Sequence, residues 1–156
     1  MKIVSRLLIA LAVVALLATP ALAKIYKGIT VGEMEQIVKS LGLQYEVKTD
    51  SAGDPMLSIK QGGLRVGLYF YRKLQGQYTA IQLSTGFSMT NGPSLEKINE
   101  WNRTKRFARA YLDKEGDPRV ELDLDLEGGT TDGAIKELFR TNRAVLEQFT
   151  KHIGFR

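Results

Sequence analysis

The run Val120-Glu121-Leu122-Asp123-Leu124-Asp125-Leu126-Glu127 alternates aliphatic and acidic residues without a break. Side chains of a strand point to opposite faces with a period of two, so four carboxylates share one face and four aliphatics the other. Carboxylates gathered this way could hold a cation, meet a basic partner or act as general acid and base. Acid–base work needs an environment that drives two carboxyl pKa values apart, and nothing in the run sets one acid apart from the next. A half-exposed strand of an antiparallel sheet has the same pattern, and that is the preferred reading of Glu121, Asp123, Asp125 and Glu127. If the preceding strand sets Ala108 and Ala110 over the aliphatics, Arg109 and Tyr111 face Asp123 and Glu121. Such a cross-strand pair is worth ~0.2–1 kcal/mol.

A basic cluster, Arg103, Lys105, Arg106 and Arg109, lies beside Trp101 and Phe107. It suits anionic lipid, lipopolysaccharide or an acidic peptide. Cations near a helix C-terminus also complement its dipole. Trp101 is the single tryptophan, flanked by Asn99 and Asn102. Trp anchors cores and interfaces alike, and the Asn side chains are suited to capping a helix end or bonding strand backbone. His152, the single histidine, falls in the last turn of a helix, where it favours the dipole. No orienting acid and nucleophile accompany it in sequence.

Asp50-Ser-Ala-Gly53-Asp54-Pro55 recurs as Asp113-Lys-Glu-Gly116-Asp117-Pro118. Two acidic cation loops would need more oxygen ligands and a closing bidentate Glu. Two hairpin turns need only an Asp bonding local backbone, a Gly at positive φ and a Pro opening the next strand. Turns are the preferred reading.

Other chemistry is excluded by residue count. With no Cys there is no disulfide, thiol nucleophile or Cys zinc site. One His leaves no multi-His metal site and makes a Ser-His-Asp centre a poor reading. No phosphate loop, dinucleotide fingerprint or G-x-S-x-G elbow occurs. The expectation is a non-enzyme with no catalytic residues, no metal and no cofactor.

The elements that carry these residues are legible. Thr30 and Glu33 form a capping box, and Met34, Ile37, Val38 and Leu41 make one apolar stripe, predicting a helix over 31–41. Four strands follow, over 44–49, 56–60, 64–71 and 77–87, joined by short connections as an antiparallel meander. Ser94 caps a helix over 95–105. A hairpin of 106–113 and 119–126 comes next, and Thr131 caps a helix over 132–152. Asn142 sits on the apolar stripe of that last helix and needs buried partners.

Residues 1–23 read as an address. Lys2 and Arg6 precede the apolar run Leu7–Ala18, and Ala21-Leu22-Ala23 is a small-x-small cleavage pattern, together a secretory signal peptide. The run is shorter than the ~20 residues a membrane span needs. Cleavage leaves one domain over residues 24–156 and removes two basic residues and no acid, so the net charge falls from +5 to +3. That mild excess does not mark a nucleic-acid binder. The expected location is the periplasm, or the medium, with no stable membrane insertion once the leader is gone.

The segment Ile98-Asn-Glu-Trp-Asn-Arg-Thr-Lys-Arg-Phe-Ala-Arg-Ala-Tyr-Leu-Asp113, followed by Glu115-Gly-Asp-Pro118 and Leu122–Gly129, resembles the YbjN family. Members of that family carry the label of bacterial sensory transduction regulators. Leu68-Tyr-Phe-Tyr71, Gln82–Phe87 and His152-Ile-Gly-Phe155 fit it too, and the likeness spans about residues 30–155. It implies an α+β fold like that of type III secretion chaperones, with three helices on an antiparallel sheet in the order α-β-β-β-β-α-β-β-α. Exported relatives often carry a Cys pair in the hairpin after the F-Y strand; here Tyr71–Tyr78 has none, so that hairpin relies on sheet pairing.

The resulting expectation is an exported, non-enzymatic binding protein, a sensory regulator or chaperone-like module that holds a protein or peptide segment, with homodimerisation also in view. Its anchors are placed at Trp101, Arg106 and Arg109. The alternatives are a small envelope hydrolase using carboxylates such as Asp113 and Asp123, and an anion or small-ligand sensor using the basic cluster.

Overall fold

The computed structural model describes residues 24–155; the leader assigned to residues 1–23 lies outside them. The element order is β1 (Ile25–Tyr26), α1 (Val31–Ser40), β2 (Gln44–Thr49), β3 (Pro55–Gln61), β4 (Leu64–Leu74), β5 (Gln77–Gly86), α2 (Leu95–Thr104), β6 (Arg109–Leu112), β7 (Pro118–Asp125), β8 (Thr130–Thr131) and α3 (Asp132–Ile153). The fold is α+β. Among the described residues no helix is long and apolar enough to cross a membrane.

Local chemistry accounts for the helix starts. Thr30 Oγ1 accepts from the Glu33 N–H at 3.2 Å, and the Glu33 carboxylate reaches back to the Thr30 N–H at 2.9 Å. Ser94 and Thr131 cap α2 and α3 through the N–H groups of Lys97 and Ala134. Gly154, at φ 72°, ends α3 in a left-handed cap that glycine adopts without strain.

Six strands form one antiparallel sheet in the order β2-β3-β4-β5-β7-β6. Register lines up Leu57, Leu68, Leu83 and Leu122 in one row, each at most 2% exposed. Burying each such side chain is worth ~1.5–3 kcal/mol. The helices pack against this face: Met34, Ile37 and Val38 from α1, Ile98 and Trp101 from α2, and Ile135, Phe139, Val145, Leu146, Phe149 and Ile153 from α3. Asn142 finds its buried partner in Gln61 on β3.

The structure departs from the sequence expectations in three places. β1 and β8 pair as a separate two-stranded sheet, Ile25 with Thr131 and Tyr26 with Thr130; two residues carry no periodicity to read. The strand expected from Arg106 begins only at Arg109, because Phe107 takes φ 72°, which breaks an extended chain. The β6–β7 register differs as well. Arg109 lies opposite Glu121 and Tyr111 opposite Arg119, one pair away from the expected alignment. The reason is the tight turn: Asp113 N–H donates to the Asp117 carbonyl at 2.9 Å, and the pairing counts outward from there.

Both copies of the repeated loop are turns of one design. Asp50 Oδ1 accepts from the N–H groups of Ala52 and Asp54, and Asp113 Oδ1 from those of Glu115 and Asp117. Gly53 and Gly116 take φ 91° and 83°. The hairpin without cysteines turns at Gln75 and Gly76, both at positive φ, the two-residue geometry that matches strand twist.

Candidate functional site

Alternation along the strands leaves the second face of the sheet polar. Across it, register aligns Ser58, Gly67, Ser84, Glu121 and Arg109. The next row is Met56, Tyr69, Gln82 and Asp123, and beyond it lie Tyr71, Ala80 and Asp125. Tyr69 folds back over Gly67: a Cβ at position 67 would stand 2.6 Å from the Tyr69 ring, so only glycine admits this roof.

Glu121 is the centre of the face. Its side chain is 7% exposed, and five donors reach it. Oε2 accepts from Arg109 Nη2 at 2.7 Å, Arg109 Nε at 3.1 Å and Gln82 Nε2 at 3.3 Å. Oε1 accepts from the Tyr111 hydroxyl at 2.9 Å and Ser84 Oγ at 3.2 Å. Gln82 also donates to Asp123 at 2.8 Å and accepts from the Tyr71 hydroxyl at 3.3 Å. A depression of about 580 Å³ runs beside this network, lined by Tyr71, Gln82, Arg109, Tyr111 and Asp123 with their neighbours.

Burial and neighbouring charges shift several groups on and beside this face. The hydrogen bond to Glu121 raises the Arg109 guanidinium above its ordinary value. Burial, then the bond to Glu121, raises the Tyr111 phenol; burial and the charge of Glu121 do the same for Tyr71. Arg72 pairs with Asp125 and lowers its carboxyl. Burial pushes Asp113 up, but Arg119 and the Asp117 N–H outweigh it and leave the carboxyl below its ordinary value.

The geometry does not support a hydrolase that pairs Asp113 with Asp123. Both Glu121 oxygens are committed as acceptors. Asp113 sits at the turn and Asp123 six residues up the strand from Asp117, about 20 Å at ~3.3 Å per residue. A glycosidase pair flanks its bond at ~5–9.5 Å. Among the described residues, no group of three or more His, Cys, Asp and Glu side chains is placed to hold a metal ion.

The three anchors named from sequence do not meet in one patch. Trp101 is 1% exposed and packs edge-on against Phe149 at 4.9 Å, on the helix side of the sheet. Its Nε1 is buried with no hydrogen-bond partner among the described residues. Arg109 stands on the opposite, polar face. Arg106 is exposed on the α2–β6 loop beside Phe107, itself 79% exposed. His152 packs against Trp101 and donates through Nε2 to the Lys97 carbonyl at 2.7 Å, tying α3 to α2. Asn102 bonds strand backbone, its Oδ1 accepting from the Ala110 N–H and its Nδ2 donating to the Ala110 carbonyl.

Residues 30–155 match the model of the YbjN family, described as "Putative bacterial sensory transduction regulator". The chain belongs to the YbjN family. No curated protein matches it. In this YbjN member, the sequence placed Arg109 and Tyr111 on the acidic face, but the register sets Arg109 opposite Glu121 and Tyr111 opposite Arg119, and it gave no sign of Tyr69, Tyr71, Gln82 and Ser84 as site residues. The alternation of Leu68-Tyr69-Phe70-Tyr71 was the signal that could have found the tyrosines, since it sends both to the face that carries the acids.

Proposed function

We propose that this YbjN-family chain is an exported, non-enzymatic regulator that holds a segment of a protein partner on the polar face of its sheet. The observation that carries the reading is the set of Tyr71, Tyr111 and Arg109 around a Glu121 whose oxygens are fully bonded. Tyr71 and Tyr111 are 45% and 37% exposed. Tyr and Arg dominate the energetics of protein interfaces. Tyr orders few torsions on binding, and side chains already fixed by hydrogen bonds lose less freedom still. The satisfied carboxylate favours contact over bond-breaking. Export is inferred from the leader pattern of residues 1–23.

A photo-crosslinking residue placed at Tyr71 or Tyr111 tests the site, with the same probe at Arg140 on α3 as the control. The expected result is a discrete protein adduct from the sheet positions only. Adducts equal from all three positions, or from Arg140 alone, overturn it. Mass measurement of the product made in a bacterial host tests export: loss of residues 1–23 from the envelope fraction is expected, and an uncleaved cytoplasmic chain overturns that part.

A further inference from the structure

The sheet has two edges, and they are finished differently. At β6, Asn102 takes up the outward N–H and C=O of Ala110 at 2.8 and 2.9 Å. At β2 the turn decides which groups face out. Asp50 N–H donates to the Asp54 carbonyl at 2.8 Å, so this is a bonded pair. Antiparallel pairs alternate between bonded and non-bonded. Lys48–Met56, Glu46–Ser58 and Gln44–Lys60 are therefore the bonded pairs, and Tyr45, Val47 and Thr49 aim their backbone groups away from β3. The same counting from Asp113–Asp117 turns Ala110 outward, where Asn102 meets it. Among the described residues no hydrogen bond reaches the backbone of Tyr45, Val47 or Thr49 from outside the sheet.

We propose that β2 is the contact edge of a homodimer, in which two copies pair antiparallel about a two-fold axis through Val47. Charge disfavours the two adjacent registers. Centred on Val47, Glu46 faces Lys48 of the second copy and Lys48 faces its Glu46. Centred on position 46 or 48, like charges meet directly, which destabilises a sheet pair. Within one copy, Glu46 and Lys48 are exposed and, among the described residues, form an ion pair only with each other, at 2.9 Å. The two-fold lets each gain a cross-strand partner.

Backbone and core agree with the same axis. Val47 with its copy, and Tyr45 with Thr49 on either side, each exchange the outward groups of a bonded pair. Val47 also heads the apolar row through Leu57, Leu68, Leu83 and Leu122, yet it is 52% exposed where they are buried. Contact with a second Val47 continues that row across the two-fold. A lone edge Lys repels neighbours. Two residues from a Glu on the same face, it repels shifted registers and accepts this one. The contact is isologous, so it closes at two copies. One short ladder falls at the small end of specific interfaces, which makes the dimer concentration-dependent.

Sedimentation of the purified protein over a concentration series tests this. Expected is a reversible dimer whose dissociation constant rises about tenfold or more in Glu46→Lys and in Lys48→Glu, and returns toward the parent value in the double reversal Glu46→Lys/Lys48→Glu. Val47→Pro removes an outward N–H and no bond to β3, so it should leave the circular dichroism unchanged and abolish the dimer. Amide exchange at Tyr45, Val47 and Thr49 should slow with concentration. A monomer at every concentration, or a dimer indifferent to the single reversals, overturns the proposal.

Discussion

Asn142 Nδ2 donates to Gln61 Oε1 at 2.8 Å, joining α3 to β3 between two residues that are 1% and 6% exposed. Gln61 Nε2 donates in turn to the Phe139 carbonyl at 3.0 Å. One polar pair thus pins the long helix to the sheet inside an otherwise apolar core, and leaving either member alone strands a buried amide. Asn142→Leu should cost about 1–3 kcal/mol of stability by urea denaturation. The double change Gln61→Leu/Asn142→Leu should recover part of it, because no amide is then left unpaired.

Glu121→Ala removes the acceptor for five donors at once. The cost should be about 1–3 kcal/mol, at the lower end because the Arg109 side chain is 64% exposed and regains water. Tyr111 and Tyr71 should then lose part of their raised phenol titration, read as the ultraviolet absorbance change during alkaline titration.

Trp101→Ala should destabilise by about 3–5 kcal/mol, the cost of emptying an aromatic core site. Trp101→Phe should cost clearly less, because it keeps the ring contact with Phe149 and deletes a buried N–H that has no partner among the described residues. Tryptophan emission from the parent protein should be blue-shifted and shielded from quenchers, then move to the red on unfolding.

Lys24 and the Thr30 N–H hold the Glu33 carboxyl below its ordinary value of 4.5. The unfolded chain binds a proton there before the folded one does. The stabilisation is therefore present above that value and lost as pH falls through the lowered one. Glu33→Gln should be less stable than the parent at neutral pH and approach it in acid, measured as urea midpoints across the carboxylate range.

Caps, turns and periodicity were legible because each acts within a few residues. Thr30 with Glu33, Ser94, Thr131 and the Asp-Gly turns placed all three helices and six strands, with ends within three residues of those observed. The two-residue β1 and β8 gave no such signal, and the left-handed Phe107 interrupted a strand that the pattern would have continued.

By itself, then, the sequence determined the α+β order, the polar and apolar faces of each strand, and the absence of thiol and multi-histidine chemistry. Tertiary structure alone decided that Glu121 meets Ser84 and Gln82, that Asn142 meets Gln61, that Trp101 faces inward while Arg109 faces out, and that one sheet edge is closed by Asn102 and the other left open. The physical reason is range. Partners 37 to 81 residues apart are brought together by strand order and register, and no local pattern specifies those until the whole sheet has formed.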